Sequence, residues 1–254
     1  RGSVVRNMVL EEVFQKLDCW RGFPNYQLER RIDIFFAHYL KVIVENHLLN
    51  QGQEVMLHDI IIPEFPVRNS LVGGGNTNHS FKVDYVLFSQ QPGQTFFLEL
   101  KTDMASIDEC QKAKLKKISR LAFGDILCDL KKIFVAGNRL KYLYLFECLQ
   151  RVGYVELPTN LRETIESRGR SKSLIEGIKV LNPNHQISVL YIQPMEDESE
   201  ENVITFGEIA GYLKLGEEKD PLSGLFAHYL DKWQNPRQAE IMMADNHQGQ
   251  SGLL

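Results

Sequence analysis

The chain lacks several features that would assign it to a specialised class. No apolar run approaches the roughly 18 residues that span a membrane, and no secretory apolar segment follows the start. A glycine-rich stretch at 71–79 lacks the Gly-Lys-Ser/Thr ending of a P-loop and opens no helix, so we expect a hairpin connection there. These absences favour a cytoplasmic protein with no membrane partner.

Closely spaced cysteines are also missing, which excludes a zinc knuckle. We expect reduced, buried thiols at all four positions, Cys19, Cys110, Cys128 and Cys148. The 254 residues are 43% hydrophobic and 24% charged, as in ordinary globular proteins, and predict one large domain or a core with an elaboration.

The net charge of −4 argues against a general nucleic-acid binder, but the distribution of charge is uneven. Residues 111–141 contain nine Lys or Arg against two Asp. Such a segment can neutralise a polyanion, or it can be the solvated face of helices. Both interpretations stay open from the sequence alone.

Three charged residues interrupt a segment that otherwise has the composition of two buried strands. Residues 81–103 contain two apolar runs joined by QQPGQ at 90–94, a stretch rich in turn formers. Asp84 lies in the first run, and Glu99 and Lys101 lie in the second. Because a buried charge is costly unless it is paired or binds a metal, the two carboxylates indicate a divalent-cation site that Lys101 also faces.

The register of this predicted hairpin has two acceptable forms. A loop at Pro92 and Gly93 sets Asp84 opposite Lys101, whereas a loop one residue earlier sets it opposite Glu99. Both keep the three charged side chains on one face, because side chains alternate with a period of two. A three-residue loop would move Asp84 to the other face unless a bulge corrects it.

Other segments predict an α/β fold around the hairpin. We expect helices at 9–17, 28–49 and 222–233, and strands at 60–67, 187–192 and 203–206. An S-x-x-E capping box at Ser106 predicts the start of a basic helix, and the apolar run YLYLFEC at 142–148 predicts a central buried strand. Residues 234–254 have little apolar pattern and are expected to form a mobile tail.

Asp84 and the triplet Glu99-Leu100-Lys101 resemble the PD-(D/E)xK nuclease superfamily, the restriction-endonuclease-like fold. The triplet matches the E-x-K element, and Asp84 matches the aspartate one hairpin upstream. Glu45 is the candidate for the glutamate that the family commonly carries on the preceding helix. The chain departs from the motif at Val83, where the family name places Pro, and Gln111 is not followed by the Tyr of a Q-x-x-x-Y branch.

The resemblance implies a restriction-endonuclease-like core, with a central mixed β-sheet flanked by helices, over residues 28–150. A C-terminal α+β extension would follow at 151–233. Residues 1–27 would add an N-terminal helix, and a vector remnant is one interpretation of residues 1–7, since Met8 and its neighbours resemble a natural start.

The family's chemistry is phosphodiester hydrolysis with Mg²⁺, for which Mn²⁺ can substitute. By resemblance, Asp84, Glu99 and the carbonyl of Leu100 would bind the metal, and Glu45 would bind a second ion or hold a water molecule. Lys101 would orient or deprotonate the attacking water or stabilise the phosphate.

Three further residues are candidates for supporting positions around that site. Thr102 and Gln111 would contact the groups that bind the metal, and His38 would line the site. A histidine in the core or at its boundary is the alternative for His38.

The implied partner is a nucleic acid, with DNA favoured over RNA, in a defence, repair or mobile-element context. The candidate contacts are five basic residues that follow the hairpin, Lys112, Lys114, Lys116, Lys117 and Arg120. Many such nucleases form homodimers, and no interface is visible in the sequence. A catalytically inactive module that binds nucleic acid or protein is the alternative function.

Overall fold

The structure is an α/β fold with a five-stranded mixed sheet flanked by helices. A computed structural model describes residues 2–74, 80–91, 93–104, 108–181, 183–197, 202–215 and 220–234, with side chains from residue 8 onward. Numbered in chain order, the strands of the sheet lie in the spatial order β1 (Leu57–Arg68), β2 (Ser80–Ser89), β3 (Gln94–Leu100), β6 (Gln186–Gln193) and β7 (Val203–Thr205). β4 (Val155–Glu156) and β5 (Lys179–Val180) form a separate antiparallel pair.

The direction of the strands makes the sheet mixed. β2 pairs antiparallel with both β1 and β3, whereas β6 and β7 are parallel. β1 lies at one edge, which suits its Pro63 and Pro66 because proline cannot donate to a ladder. β2 is buried from Tyr85 onward and β3 from Thr95 onward, as expected of strands covered on both faces.

The helices surround this sheet in chain order. They are α1 (Gly2–Trp20), α2 (Glu29–Asn50), α3 (Glu109–Ile118), α4 (Phe123–Ala136), α5 (Arg139–Arg151), α6 (Leu161–Glu166), α7 (Lys172–Glu176), α8 (Phe206–Lys214) and α9 (Pro221–Trp233), with a short 3₁₀ helix at Asn69–Val72. The predicted helices 28–49 and 222–233 and the predicted strands 60–67, 187–192 and 203–206 are confirmed.

The chain divides into two compact units. One contains α1, α2, the residues after Glu99 up to Met104, the last three residues of β6, β7, α8 and α9. Its core is an aromatic cluster that includes Phe14, Phe36, Phe226 and Trp233. The domain limits expected from the sequence stay a prediction.

The second unit contains β1, β2, most of β3, α3 to α7, β4, β5 and the first part of β6. Phe123 at the start of α4 is fully buried and contacts the rings of Phe65, Phe97 and Tyr154. These contacts join α4 and the segment after α5 to the sheet strands of the same unit.

The strand predicted at 142–148 is wrong, because these residues belong to α5. The side chain of Asn138 caps the helix by accepting a hydrogen bond from the amide of Lys141 at 3.2 Å. Leu143, Phe146 and Leu149 are fully buried at helical spacing, while Tyr144 in the middle of the apolar run is exposed.

Two smaller expectations are also corrected. α3 begins at Glu109, and its cap is Asp108, which accepts from the amide of Cys110 at 2.8 Å, instead of Ser106. Three of the four free thiols, Cys19, Cys110 and Cys128, are exposed, because larger apolar side chains fill the inward positions of their helices.

No helix within the described ranges is both long and apolar enough to cross a membrane. The tail predicted at 234–254 lies outside the described residues from 235 onward.

Candidate active site

Asp84 and Glu99 occupy facing positions on β2 and β3. Tyr85 pairs with Leu98 and Val86 with Phe97, so continuing this register by one residue sets Asp84 opposite Glu99. Residues that face each other in an antiparallel pair have Cβ atoms about 4.5–5.5 Å apart on the same face. Of the two acceptable registers, the chain therefore adopts the one that brings the two carboxylates together.

Glu99 is a buried carboxylate held by a helix of the same unit. Its side chain is in a residue only 2% exposed, and the side-chain amide of Gln111 donates a hydrogen bond to Oε1. Gln111 lies in the first turn of α3, which the cap at Asp108 fixes. The contact orients the carboxylate of Glu99 along the direction of this bond.

Two carboxylates in facing positions repel each other, and a cation between them relieves that repulsion. Within the described ranges no group of three or more His, Cys, Asp or Glu side chains is arranged to hold a metal ion. A pair of carboxylates nevertheless suits Mg²⁺, which is usually bound by one or two carboxylates and keeps several waters. The oxygen donors of Asp84 and Glu99 are thus compatible with this ion.

The residues after Glu99 continue the end of β3. Leu100 is 2% exposed, and Lys101 and Thr102 are half-buried. The amide of Lys101 donates to the carbonyl of Ile192 at 2.8 Å, which joins the segment to β6. This hydrogen bond fixes the backbone from which the Lys101 side chain extends.

The two candidates on α2 differ in exposure. Glu45 is half-buried, whereas His38 is exposed and contacts the ring of the adjacent Tyr39 edge-on. The interpretation of His38 as a buried core histidine is therefore wrong, and its supporting position at a site stays a prediction.

Most candidate phosphate contacts on α3 are held by the protein itself. The Lys112 side chain is 12% exposed and lies 3.6 Å from the carboxylate of Glu109. Lys114 and Lys117 contact groups on the segment that joins β1 to β2. Lys116 and Arg120 are exposed.

No protein-family model, curated protein or solved structure in the comparisons matches the chain. Membership of the PD-(D/E)xK superfamily therefore stays a prediction that depends on the motif and on the register described above.

Sequence reasoning missed a buried polar network at the turn end of the same hairpin. The hydroxyl of Tyr154 lies 2.9 Å from both Thr95 Oγ1 and His185 Nδ1. His185 Nε2 accepts from the amide of Gly93 at 3.3 Å, so this nitrogen carries no proton. Burial lowers the pKa of His185 and raises the pKa of Tyr154, which favours the neutral forms that the network needs.

No local pattern in the sequence could have revealed this network, because its members are as much as 92 positions apart in the chain. The network anchors the turn between β2 and β3. It thereby supports the hairpin that carries Asp84 and Glu99.

A second missed pair lies on α2 and α8. His47, only 4% exposed, places Nδ1 3.5 Å from Oε1 of Glu208. Burial raises the pKa of Glu208, but hydrogen bonds with His47 and Thr205 outweigh burial and leave the pKa lowered. Thr205 and Glu208 also form the capping box of α8, so the pair joins α2 to a capped helix end.

Proposed function

We propose that the chain is a Mg²⁺-dependent nuclease with a restriction-endonuclease-like core of the PD-(D/E)xK type. The observation that carries the proposal is the register that sets Asp84 opposite a buried Glu99. The hydrogen bond from Gln111 to Glu99 adds support, because a supporting contact on a ligand is typical of metal sites in proteins.

The metal ligands in this proposal are Asp84, Glu99 and the main-chain carbonyl of Leu100. Mg²⁺ supplies Lewis-acid activation of water and neutralises charge on the phosphate, and Mn²⁺ can take its place. The side chains of Asp84 and Glu99 hold the ion, and Gln111 keeps the Glu99 carboxylate oriented.

Lys101 is proposed to orient the attacking water or to stabilise the negative charge that develops on the phosphate. Thr102 follows it in the chain and supports its position. Glu45 is proposed to hold a second ion or a water molecule, a role that depends on the family resemblance alone.

The proposed substrate is a nucleic acid, with DNA favoured over RNA. Lys116 and Arg120 are the exposed basic residues on and after α3 that are available to phosphates. A homodimer that cuts two strands, and a defence, repair or mobile-element context, are consistent with the resemblance.

The test is cleavage of linear, circular and branched DNA with Mg²⁺ or Mn²⁺. Asp84→Ala and Lys101→Ala should abolish cleavage, as should chelation by EDTA. Glu64→Ala and Lys82→Ala remove an exposed ion pair on β1 and β2, with a 2.6 Å separation, and serve as charge-matched controls that should retain activity.

Cleavage that persists in Asp84→Ala and Lys101→Ala would refute the proposed site. Nucleic-acid binding without metal binding or cleavage would instead favour the inactive binding module.

A further inference from the structure

α3 contacts both ends of the connection between β1 and β2. The first end is the 3₁₀ helix Asn69–Val72, where the Lys117 ammonium donates to the carbonyl of Val72 at 3.2 Å. The second end is the start of β2, where the Lys114 ammonium lies 5.3 Å from the centre of the Phe81 ring. Two lysines three positions apart on one helix therefore hold the two ends of one connection.

The contact of Lys117 is closely packed. Gly73 has a φ of +87° and ends the 3₁₀ helix, and a Cβ atom on it would lie 2.5 Å from the Lys117 ammonium. A cation beside the last carbonyls of a helix is also electrostatically favourable. Glycine at this position leaves room for the lysine side chain.

The contact of Lys114 lies close in sequence to the candidate site. Phe81 precedes Asp84 by three residues on β2, and Lys114 follows Gln111 by three residues on α3. The same helix thus touches β2 through Lys114 and Glu99 of β3 through Gln111. A cation this near a ring face is attracted by the ring's quadrupole.

We propose that Lys114 and Lys117 are positioning residues that hold the start of β2 on α3, and are not phosphate contacts. This inference rests on the proposed function, because the strand end that they hold carries the proposed ligand Asp84. It reassigns two of the five basic residues expected to bind nucleic acid. Lys116, exposed between them on the same helix, provides a control with the same loss of charge.

The first experiment is hydrogen exchange of the amides of residues 80–84, with no metal or nucleic acid present. Lys114→Gln and Lys117→Gln should each speed exchange about two- to fivefold, as expected for the loss of one cation–π contact or one hydrogen bond. Lys116→Gln should leave exchange unchanged. Lys114→Arg keeps a cation over the ring and should restore the wild-type rate.

The second experiment measures the affinity for Mn²⁺ by calorimetry and the salt dependence of binding to a short DNA duplex. Lys114→Gln and Lys117→Gln should weaken Mn²⁺ binding and leave the salt slope unchanged. Lys116→Gln should retain Mn²⁺ affinity and, if it contacts a phosphate, reduce the slope by about 0.9.

Wild-type exchange rates in Lys114→Gln and Lys117→Gln, or a salt slope that falls in both of them, would overturn the inference. If the wild-type protein binds neither Mn²⁺ nor DNA, the proposed function fails. The exchange measurement still decides in that case whether the two lysines hold β2.

Discussion

Replacing Gln111 with Ala should destabilise the protein more than an ordinary surface substitution does. The substitution removes a hydrogen bond from an amide to a carboxylate whose residue is 2% exposed. Hydrogen bonds to charged groups are worth about 1.5–3 kcal/mol, and little solvent reaches this one. For a chain of this size, that loss corresponds to a fall in melting temperature of about 3–12 °C.

Gln15→Ala is the matched control for this experiment. Gln15 donates to Glu11 at 3.4 Å on the exposed face of α1, so the same amide-to-carboxylate pair is lost in water. A pair of this kind contributes about 0.2–0.5 kcal/mol. Because both substitutions replace Gln with Ala in a helix, the difference in helix propensity cancels.

The assay is thermal unfolding followed by circular dichroism, with urea unfolding as a second measure of the free energy. The expected order of stability is wild type, Gln15→Ala and then Gln111→Ala. If Gln111→Ala costs no more than Gln15→Ala, the hydrogen bond does not hold Glu99, and the supporting role of Gln111 at the site fails with it.

Two further predictions concern regions away from the carboxylates. Because burial lowers the pKa of His185, the unfolded chain takes up this proton first, so stability is complete above about pH 6.5 and falls as the pH drops below it. Urea unfolding at several pH values should show a smaller loss in His185→Gln, and an equal loss would contradict this role. Gly124→Ala should cost about 1–3 kcal/mol or more, since its Cβ would lie 2.6 Å from Pro183, whereas Gly211→Ala in open space should gain about 0.5–1 kcal/mol. Similar melting temperatures for the two alanine variants would refute this packing argument.

The strands around the candidate site could be predicted because their sequences are short apolar runs bounded by turn formers. The hairpin register could be narrowed to two forms but not decided. Both forms keep Asp84, Glu99 and Lys101 on one face, so the alternation of side chains does not distinguish them. Packing of the rest of the chain on the strands selects the form in which Tyr85 faces Leu98.

The errors have identifiable physical causes. The run at 142–148 is apolar over its whole length, but only its positions at helical spacing are buried, and Tyr144 is 53% exposed. A short apolar run does not by itself distinguish a buried strand from one face of a helix. The capping asparagine at position 138 was the local signal for α5 that the apolar pattern obscured.

The basic run shows a different limit of the sequence. Composition predicts a cluster of positive charge after the hairpin, but it does not indicate which lysines turn inward. Lys114 and Lys117 contact Phe81 and Val72, which are more than 30 positions away in the chain. Such distant contacts, like those of His185, become visible only when the fold brings the segments together.

The measurement that tests the central claim most directly is a calorimetric titration of Mg²⁺ and Mn²⁺ into the wild-type protein, Asp84→Asn and Glu99→Gln. Both substitutions preserve the shape of the side chain and remove one carboxylate. The account predicts saturable binding to the wild type that each substitution abolishes or weakens strongly, while the Glu64→Gln control on the exposed face of β1 binds as the wild type does. Equal metal affinity in wild type, Asp84→Asn and Glu99→Gln would contradict the claim that these facing carboxylates form the metal site.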